Sequence, residues 1–175
     1  MGGTLLRQRT GVCVTALLFC LLLPLLLSAQ QAKPGVLSAE ELKHAVPTTY
    51  FFDGQTAPVQ LRNAAGFRAA GGKLVLAALV DTSGYATDIA EKYQGLLITQ
   101  VKLQIEGSEL APGAYGFGFI KEGKFLVMNV AADEVLSVPA QTDEKVAHPV
   151  PLKIAEEGGG YRLYAGKKWV ALKAD

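Results

Sequence analysis

The most regular alternation of apolar and polar residues in the chain runs from residue 97 to residue 106, in LITQVKLQIE. One side of an extended segment would carry Leu97, Thr99, Val101, Leu103 and Ile105, and the other would carry Gln100, Lys102, Gln104 and Glu106. A period of two is typical of a strand with one face on the core and the other in water. We expect a single strand over this segment.

Other apolar runs between residue 47 and the C-terminus also have the length of strands. Asp53-Gly54 separates two of them and predicts a tight hairpin, because both central residues of a type I′ turn need positive φ. Pro58 offers no N–H to a ladder, so the second strand of this hairpin should lie at an edge or open with a bulge. The run KLVLAALV is apolar on both sides, which indicates a strand covered on both faces.

Two short helices interrupt this pattern. Ser38 followed by Glu41 three residues later predicts a capped helix start, and Pro47 predicts its end. The segment TDIAEKYQG, opened by Thr87 or Asp88, predicts a second short helix. Nine or ten short strands with one or two helices indicate an all-β, mainly antiparallel protein, either a β-sandwich or a partly open β-barrel.

The segment GAYGFGF places three aromatic residues, Tyr115, Phe117 and Phe119, on one face of a strand and Gly116 and Gly118 on the other. Two interpretations follow. The aromatic rings can belong to the hydrophobic core of the protein, on a strand that bends, since each ring would bury about 150–250 Å². Alternatively they form a face that contacts a sugar or an apolar ligand. In both cases the glycines allow the strand to coil or another segment to pass closely.

The C-terminal segment GYRLYAGKKWVALK predicts a hairpin that closes the core. Tyr161 and Leu163 would share one face, and Arg162 and Tyr164 the other. A second interpretation makes Arg162, Tyr164, Lys167 and Trp169 a recognition surface, because arginine and aromatic side chains dominate binding hot spots.

The first 29 residues have the features of a secretory signal peptide. Two arginines precede an uncharged, leucine-rich run that ends in small residues. We expect cleavage after Ala29, with Ala32 as the alternative, followed by a flexible lead over residues 30–37 and a single β-rich domain over residues 38–175. An uncleaved membrane anchor is the other interpretation, because residues 11–29 are just long enough to cross a bilayer.

Charge and cysteine content narrow the function of the mature chain. Loss of residues 1–29 leaves 15 basic and 16 acidic residues, a net charge of −1, and removes both cysteines. We therefore expect no nucleic-acid partner, no disulfide and no thiolate metal site, and we assign no metal and no cofactor. A membrane contact is expected only if the N-terminal segment stays uncleaved.

Candidate catalytic groups are few. His44 and His148 lack any metal-binding spacing, and no nucleophile-elbow, phosphate-loop or dinucleotide motif is present. The segment LAALVDTSG resembles the strand-Asp-Thr-Gly motif of aspartic proteases, although Ser83 stands where that family has glycine. That resemblance implies catalysis by Asp81 only if a second copy of the chain supplies the other carboxylate. A β-turn with Asp81 at its first position explains the same residues.

Taken together, these patterns indicate a secreted or periplasmic, non-catalytic β-domain. It would bind a small apolar or carbohydrate ligand, or an envelope protein, through its aromatic-rich strands or the edge near Pro58. The alternatives are a structural component of the cell envelope and a hydrolase that uses Asp81.

Overall fold

Two antiparallel sheets account for most of residues 33–175, the part of the chain that the structure, a computed structural model, describes. The strands are β1 (Gly35–Val36), β2 (Thr49–Phe52), β3 (Gln55–Arg68), β4 (Leu74–Val80), β5 (Gly95–Thr99), β6 (Leu103–Ile105), β7 (Ser108–Leu110), β8 (Gly113–Phe119), β9 (Lys124–Met128), β10 (Glu134–Pro139), β11 (Gln141–Thr142), β12 (Lys153–Glu157), β13 (Gly160–Ala165) and β14 (Lys168–Ala174). The helices are α1 (Ala39–Ala45) and α2 (Thr87–Ala90), and Ala70–Gly72 forms a 3₁₀ turn.

The first sheet has the strand order β1-β3-β4-β5-β8-β9-β10, with β2 paired to β3. The second sheet has the order β12-β13-β14-β6-β7, with β11 paired to β14. Apolar side chains from both sheets, among them Phe67, Phe117, Ile105 and Leu163, form one buried cluster between them. The predicted all-β, mainly antiparallel fold is therefore confirmed, and of the two architectures considered it is the β-sandwich.

Helix α1 forms as predicted. The Ser38 hydroxyl accepts a hydrogen bond from the Glu41 N–H at 3.3 Å, and the Glu41 carboxylate accepts one from the Ser38 N–H at 2.9 Å. This reciprocal capping satisfies two N–H groups at the start of the helix. The helix ends at Ala45, two residues before Pro47. Among residues 33–175, no helix has the length and apolar composition needed to cross a membrane.

The predicted hairpin at Asp53-Gly54 is also present. Asp53 has φ 46° and Gly54 has φ 74°, the positive values that a type I′ turn requires. Pro58 lies in β3 opposite Thr49, and the pairing of β3 with β4 shifts register between Val59 and Ala64. The strand therefore has an irregularity, but it lies within β3 and not at its start, and β3 is not an edge strand because β2 and β4 both pair with it.

The single strand predicted over residues 97–106 is wrong. The chain forms β5 in the first sheet, leaves it at Gln100–Lys102, and forms β6 in the second sheet. At the crossing, the Thr99 hydroxyl donates to the Val101 carbonyl at 2.6 Å, and the Val101 N–H lies 3.3 Å from the same hydroxyl. The alternation continues through the crossing because Leu97 and Leu103 both face the core between the sheets.

Within residues 30–37, the interval predicted to be a flexible lead, Gly35 and Val36 form β1. They pair with Arg68 and Phe67 of β3. Leu37 follows and is buried, and its N–H donates to the Gly66 carbonyl at 2.9 Å. Burial of this leucine, together with the backbone hydrogen bonds, explains why the chain is paired here.

The outer face of the first sheet is covered by a second apolar cluster. Helix α1, the β2–β3 hairpin and Tyr93 contribute to it. Strand β4 consequently has buried side chains on both sides, with Val75 in the cluster between the sheets and Leu76 in the outer cluster. This confirms the prediction that KLVLAALV is covered on both faces.

Gly116 and Gly118 create room for this outer layer. A Cβ added at Gly116 would lie 2.5 Å from Cε2 of Phe52, and one added at Gly118 would collide with the carbonyl oxygen of Lys92. The close passage of another segment, one of the two reasons expected for these glycines, is therefore confirmed. Glycine is needed at both positions because a side chain would not fit, and not because of backbone conformation, since neither residue has a positive φ.

We predict that Gly118→Ala lowers the free energy of unfolding by about 2–4 kcal/mol, because the added methyl group meets rigid backbone. Gly84→Ala is the matched control. A Cβ there lies 3.7 Å from the Gln55 side chain, an ordinary contact, so its effect should stay within about 0.5 kcal/mol. Urea unfolding followed by circular dichroism measures both. Equal effects of the two variants would contradict this account of Gly118.

The outer cluster also contains two buried phenol hydroxyls without a hydrogen-bond partner among the described residues, those of Tyr50 and Tyr93. Burial raises the pKa of Tyr50 to about 12 and raises that of Tyr93 as well. The folded state thus disfavours both ionised phenolates. Stability should therefore be insensitive to the tyrosines below pH 10 and should fall above it, where unfolded tyrosines ionise.

We predict that Tyr93→Phe stabilises the protein by about 1 kcal/mol at pH 7, because it removes a buried hydroxyl that lacks a partner. The variant should also lose less stability between pH 9 and pH 11. Tyr85→Phe should instead destabilise the protein at pH 7, because the Tyr85 hydroxyl that it removes donates to the Phe52 carbonyl at 3.0 Å. Urea unfolding at each pH tests this, and a destabilised Tyr93→Phe variant would count against it.

Candidate functional site

The outward face of the second sheet brings together three of the residues proposed from the sequence as a recognition surface. In β13, Leu163 points into the core, so its neighbours Arg162 and Tyr164 point outward. Antiparallel pairing places Tyr164 opposite Trp169 of β14 and Arg162 opposite Ala171. Strand register alone thus makes neighbours of Arg162, Tyr164 and Trp169.

Arg162 lies over the indole ring of Trp169. The guanidinium carbon is 3.8 Å from the ring centroid, within the range of a cation–π contact. The same guanidinium forms an ion pair with Glu157 of β12 at 2.8 Å. A hydrogen bond with Tyr164 raises the pKa of Arg162, and the carboxylates of Glu157 and Asp143 raise it further, so the cation persists at every physiological pH.

Tyr164, on the same face of the sheet, supports this arrangement through Glu157. It is only 3% exposed, and its hydroxyl donates to the Glu157 carboxylate at 3.2 Å. The Lys153 ammonium lies 4.5 Å from the centroid of the Tyr164 ring. Tyr164 therefore orients Glu157, and with it Arg162, and presents little surface of its own.

A groove of about 440 Å³ runs beside the Arg162–Trp169 stack. We call it the second-sheet groove and define it by Gln104, Glu106, Glu157, Arg162, Trp169 and Lys173, together with the glycines at positions 158–160. Gly158 and Gly159 have φ values of 63° and 76° and form the tight turn between β12 and β13. These glycines contribute no side chain to that rim of the groove.

Some of the remaining polar groups of the second-sheet groove already have hydrogen-bond partners within the protein. Glu106 accepts a hydrogen bond from the Ala171 N–H at 2.7 Å, and the Gln104 amide donates to the Asp175 carboxylate at 3.2 Å. Lys173 has no ion-pair partner among residues 33–175. Two carboxylates and two cations line the groove, so its formal charge is balanced.

Sequence reasoning missed Glu157, Glu106 and Lys173 as groove residues. The alternation in LITQVKLQIE did put Gln104 and Glu106 on the water side, but it did not show which strands lie beside them. That information resides in the pairing of Leu172 with Ile105 and of Glu157 with Gly160.

Lys167, the fourth residue of the proposed recognition surface, lies outside the groove. It occupies the turn between β13 and β14, where its ammonium pairs with Glu144 at 3.2 Å. Its carbonyl accepts a hydrogen bond from the Asp143 N–H at 2.9 Å. Lys167 therefore fastens the hairpin to the segment that precedes β12.

The aromatic residues of β8 lie in the core between the two sheets. Phe117 is fully buried and Phe119 is 5% exposed, and both rings pack against Phe125. Tyr115 is partly buried at the margin of the same cluster, and its hydroxyl donates to the Ala111 carbonyl at 3.0 Å. This places all three on the opposite side of the second sheet from its groove.

Asp81 is exposed in the loop after β4. Its carboxylate accepts a hydrogen bond from the Ser83 N–H at 3.0 Å, which holds the pKa of Asp81 below its ordinary value. The adjacent β-turn begins at Thr82 rather than at Asp81, since the Tyr85 N–H donates to the Thr82 carbonyl. Within residues 33–175, no group of three or more His, Cys, Asp or Glu residues could hold a metal ion.

Comparisons with protein-family models, with curated proteins and with solved structures found no match to this chain.

Proposed function

We propose that this protein is an exported, non-catalytic binding domain whose ligand is a carbohydrate held in the second-sheet groove. The observation that carries the proposal is the Arg162–Trp169 stack, fixed by Glu157 at the side of a groove of about 440 Å³. Small-molecule sites usually have volumes of about 300–1,000 Å³.

The groove suits a ligand with both apolar and hydroxyl surfaces. The indole ring supplies a rigid apolar body with one N–H donor, and the guanidinium supplies several donors in a plane. Glu157 and Glu106 supply acceptors. A sugar ring has C–H groups that contact flat apolar surfaces, and its hydroxyls both donate and accept, so every type of group in the groove has a counterpart.

Charge supports a neutral ligand over a strongly ionic one. Arg162 is compensated by Glu157 at 2.8 Å, and the other acid and base of the groove, Glu106 and Lys173, balance each other in number. A polyanion would meet two carboxylates, and a polycation two cations. A neutral saccharide avoids both repulsions.

The groove is also largely preorganised. Arg162 retains 29% of its side-chain exposure, and Glu157 retains 48%, so both can be reached by a ligand. Their mutual ion pair, the contact of Arg162 with the Trp169 ring and the hydrogen bond from Tyr164 to Glu157 already limit their rotamers. Binding therefore costs less side-chain entropy than it would for two free surface residues.

The proposal of export is supported by the arginine-led, leucine-rich segment over residues 1–29. That segment lies outside the described residues. Secretion or a periplasmic location would place the groove where extracellular or envelope polysaccharides are available, which agrees with a carbohydrate ligand.

We predict that at least one saccharide from a panel of neutral oligosaccharides shifts the fluorescence of Trp169, the only tryptophan of the chain. Arg162→Ala and Trp169→Ala should each weaken binding about tenfold or more, because truncation of a central binding residue costs over 1 kcal/mol. Isothermal titration calorimetry measures all variants, including the one that lacks the fluorophore.

Phe51→Ala is the control for this experiment. Phe51 is 55% exposed on β2 of the first sheet, so its loss removes an aromatic surface residue outside the groove. The Phe51→Ala variant should bind the saccharide with the same affinity as the unmodified protein. Binding that survives both groove substitutions, or a panel without a single binder, would contradict the carbohydrate proposal.

We further predict that the exported protein begins at Gln30, because cleavage is expected after Ala29. Intact-mass analysis and N-terminal sequencing of protein recovered from the medium or the periplasm measure this. A protein that still begins at Met1 and remains in the membrane fraction would show that the segment is an anchor instead.

A further inference from the structure

A second groove, unrelated to the first, lies on the other side of the sandwich between helix α1 and β3. It measures about 400 Å³ and is lined by Ala39, Leu42, Lys43, Leu61, Arg62 and Ala64. We call it the α1–β3 groove. Its walls are apolar except for the two cationic side chains, in contrast to the polar second-sheet groove.

The irregular stretch of β3 forms one wall of the groove. Between Val59 and Ala64 the pairing of β3 with β4 shifts register, and Leu61, Arg62 and Ala64, which line the groove, lie within or at the end of this interval. The Gln60 amide donates to the Val80 carbonyl at 3.1 Å, and the Asn63 amide donates to the Gln60 side chain at 2.7 Å. The first bond ties the irregular stretch of β3 to the backbone of β4, and the second orients the Gln60 side chain that makes it.

Helix α1, which forms the other wall of the groove, is also held in place. Ser38 and Glu41 cap the start of α1, and Glu41 also pairs with Arg68 of β3 at 2.8 Å. Leu42 is anchored in the outer apolar cluster. Because both walls are secured to the sheet, the groove is preformed rather than opened by a ligand.

The charged side chains around the groove indicate which sign of charge a ligand should carry. Arg62 is exposed and has no ion-pair partner among residues 33–175. Lys43 pairs at 3.0 Å with Glu40, which also lies 3.3 Å from His44, and all three side chains are more than half exposed. Exposed pairs of this kind are weak and exchange readily with other partners. With Glu41 compensated by Arg68, the rim keeps one uncompensated positive charge.

From these features we infer that the α1–β3 groove binds a single-chain amphiphile with a carboxylate head, that is, a monomeric fatty acid. The acyl chain lies against Ala39, Leu42 and Leu61, where it displaces water from apolar surface. The carboxylate is placed at Arg62, which can bind it with two parallel hydrogen bonds. The inference does not depend on the carbohydrate proposal, since no residue is shared between the two grooves.

The test titrates the purified protein with dodecanoate below its micellar concentration, using isothermal titration calorimetry. We expect saturable binding with one site, and weaker binding by about tenfold for the uncharged dodecanol and for dodecylamine. Arg62→Ala should weaken dodecanoate binding about tenfold, and Arg62→Lys should recover part of that loss. Lys124→Ala, which removes an exposed cation from β9, is the control and should bind like the unmodified protein.

A second variant tests the acyl-chain position. Ala39 is exposed at the first position of α1, so Ala39→Trp fills the groove without altering the core. It should retain its melting temperature and lose dodecanoate binding by at least tenfold. The inference is overturned if dodecanoate does not bind, if folded Ala39→Trp binds normally, or if the protein associates only with anionic vesicles and not with monomeric dodecanoate.

Discussion

The constraint on which the structure depends is that its first sheet is buried on both faces. Between the sheets the cluster is centred on rings such as Phe117, while the outer face is covered by Phe52, Tyr93 and helix α1. Two layers can approach one sheet this closely only where side chains are absent. Gly116 and Gly118 therefore occupy the points at which Phe52 and the backbone of Lys92 meet β8.

Local patterns predicted several of the elements but not their arrangement into sheets. The capped helix, the Asp53-Gly54 hairpin and the doubly covered β4 depend on interactions within a few residues, and the sequence displays those directly. The sequence does not display the crossing at Gln100–Lys102, because the same side of the chain faces a common core before and after it. A period-two pattern is identical in one strand and in two strands joined by such a crossing.

The same distinction applies to the candidate site. Alternation along β13 placed Arg162 and Tyr164 on one face, opposite Leu163, and the hairpin turn brought Trp169 back beside them. Glu157 could not be anticipated, since its contact with Arg162 depends on the register of β12 against β13. Nor does alternation reveal that Tyr164 is covered while Arg162 is not. Burial on an outward face depends on what crosses it, which is a long-range property.

The energetic scale of the Glu157–Arg162–Trp169 arrangement supports the proposal that it is a binding element. Both charged groups are partly exposed, and exposed ion pairs contribute about 0–1 kcal/mol to stability. The cation–π contact adds about 0.5–1 kcal/mol at such a site. Residues that contribute so little to folding are nevertheless held in one geometry, in part by the hydrogen bond from Tyr164 to Glu157. A fixed set of donors, acceptors and an aromatic ring at the margin of a groove has a larger effect on a ligand than on the fold, because the ligand meets groups whose orientation is already set.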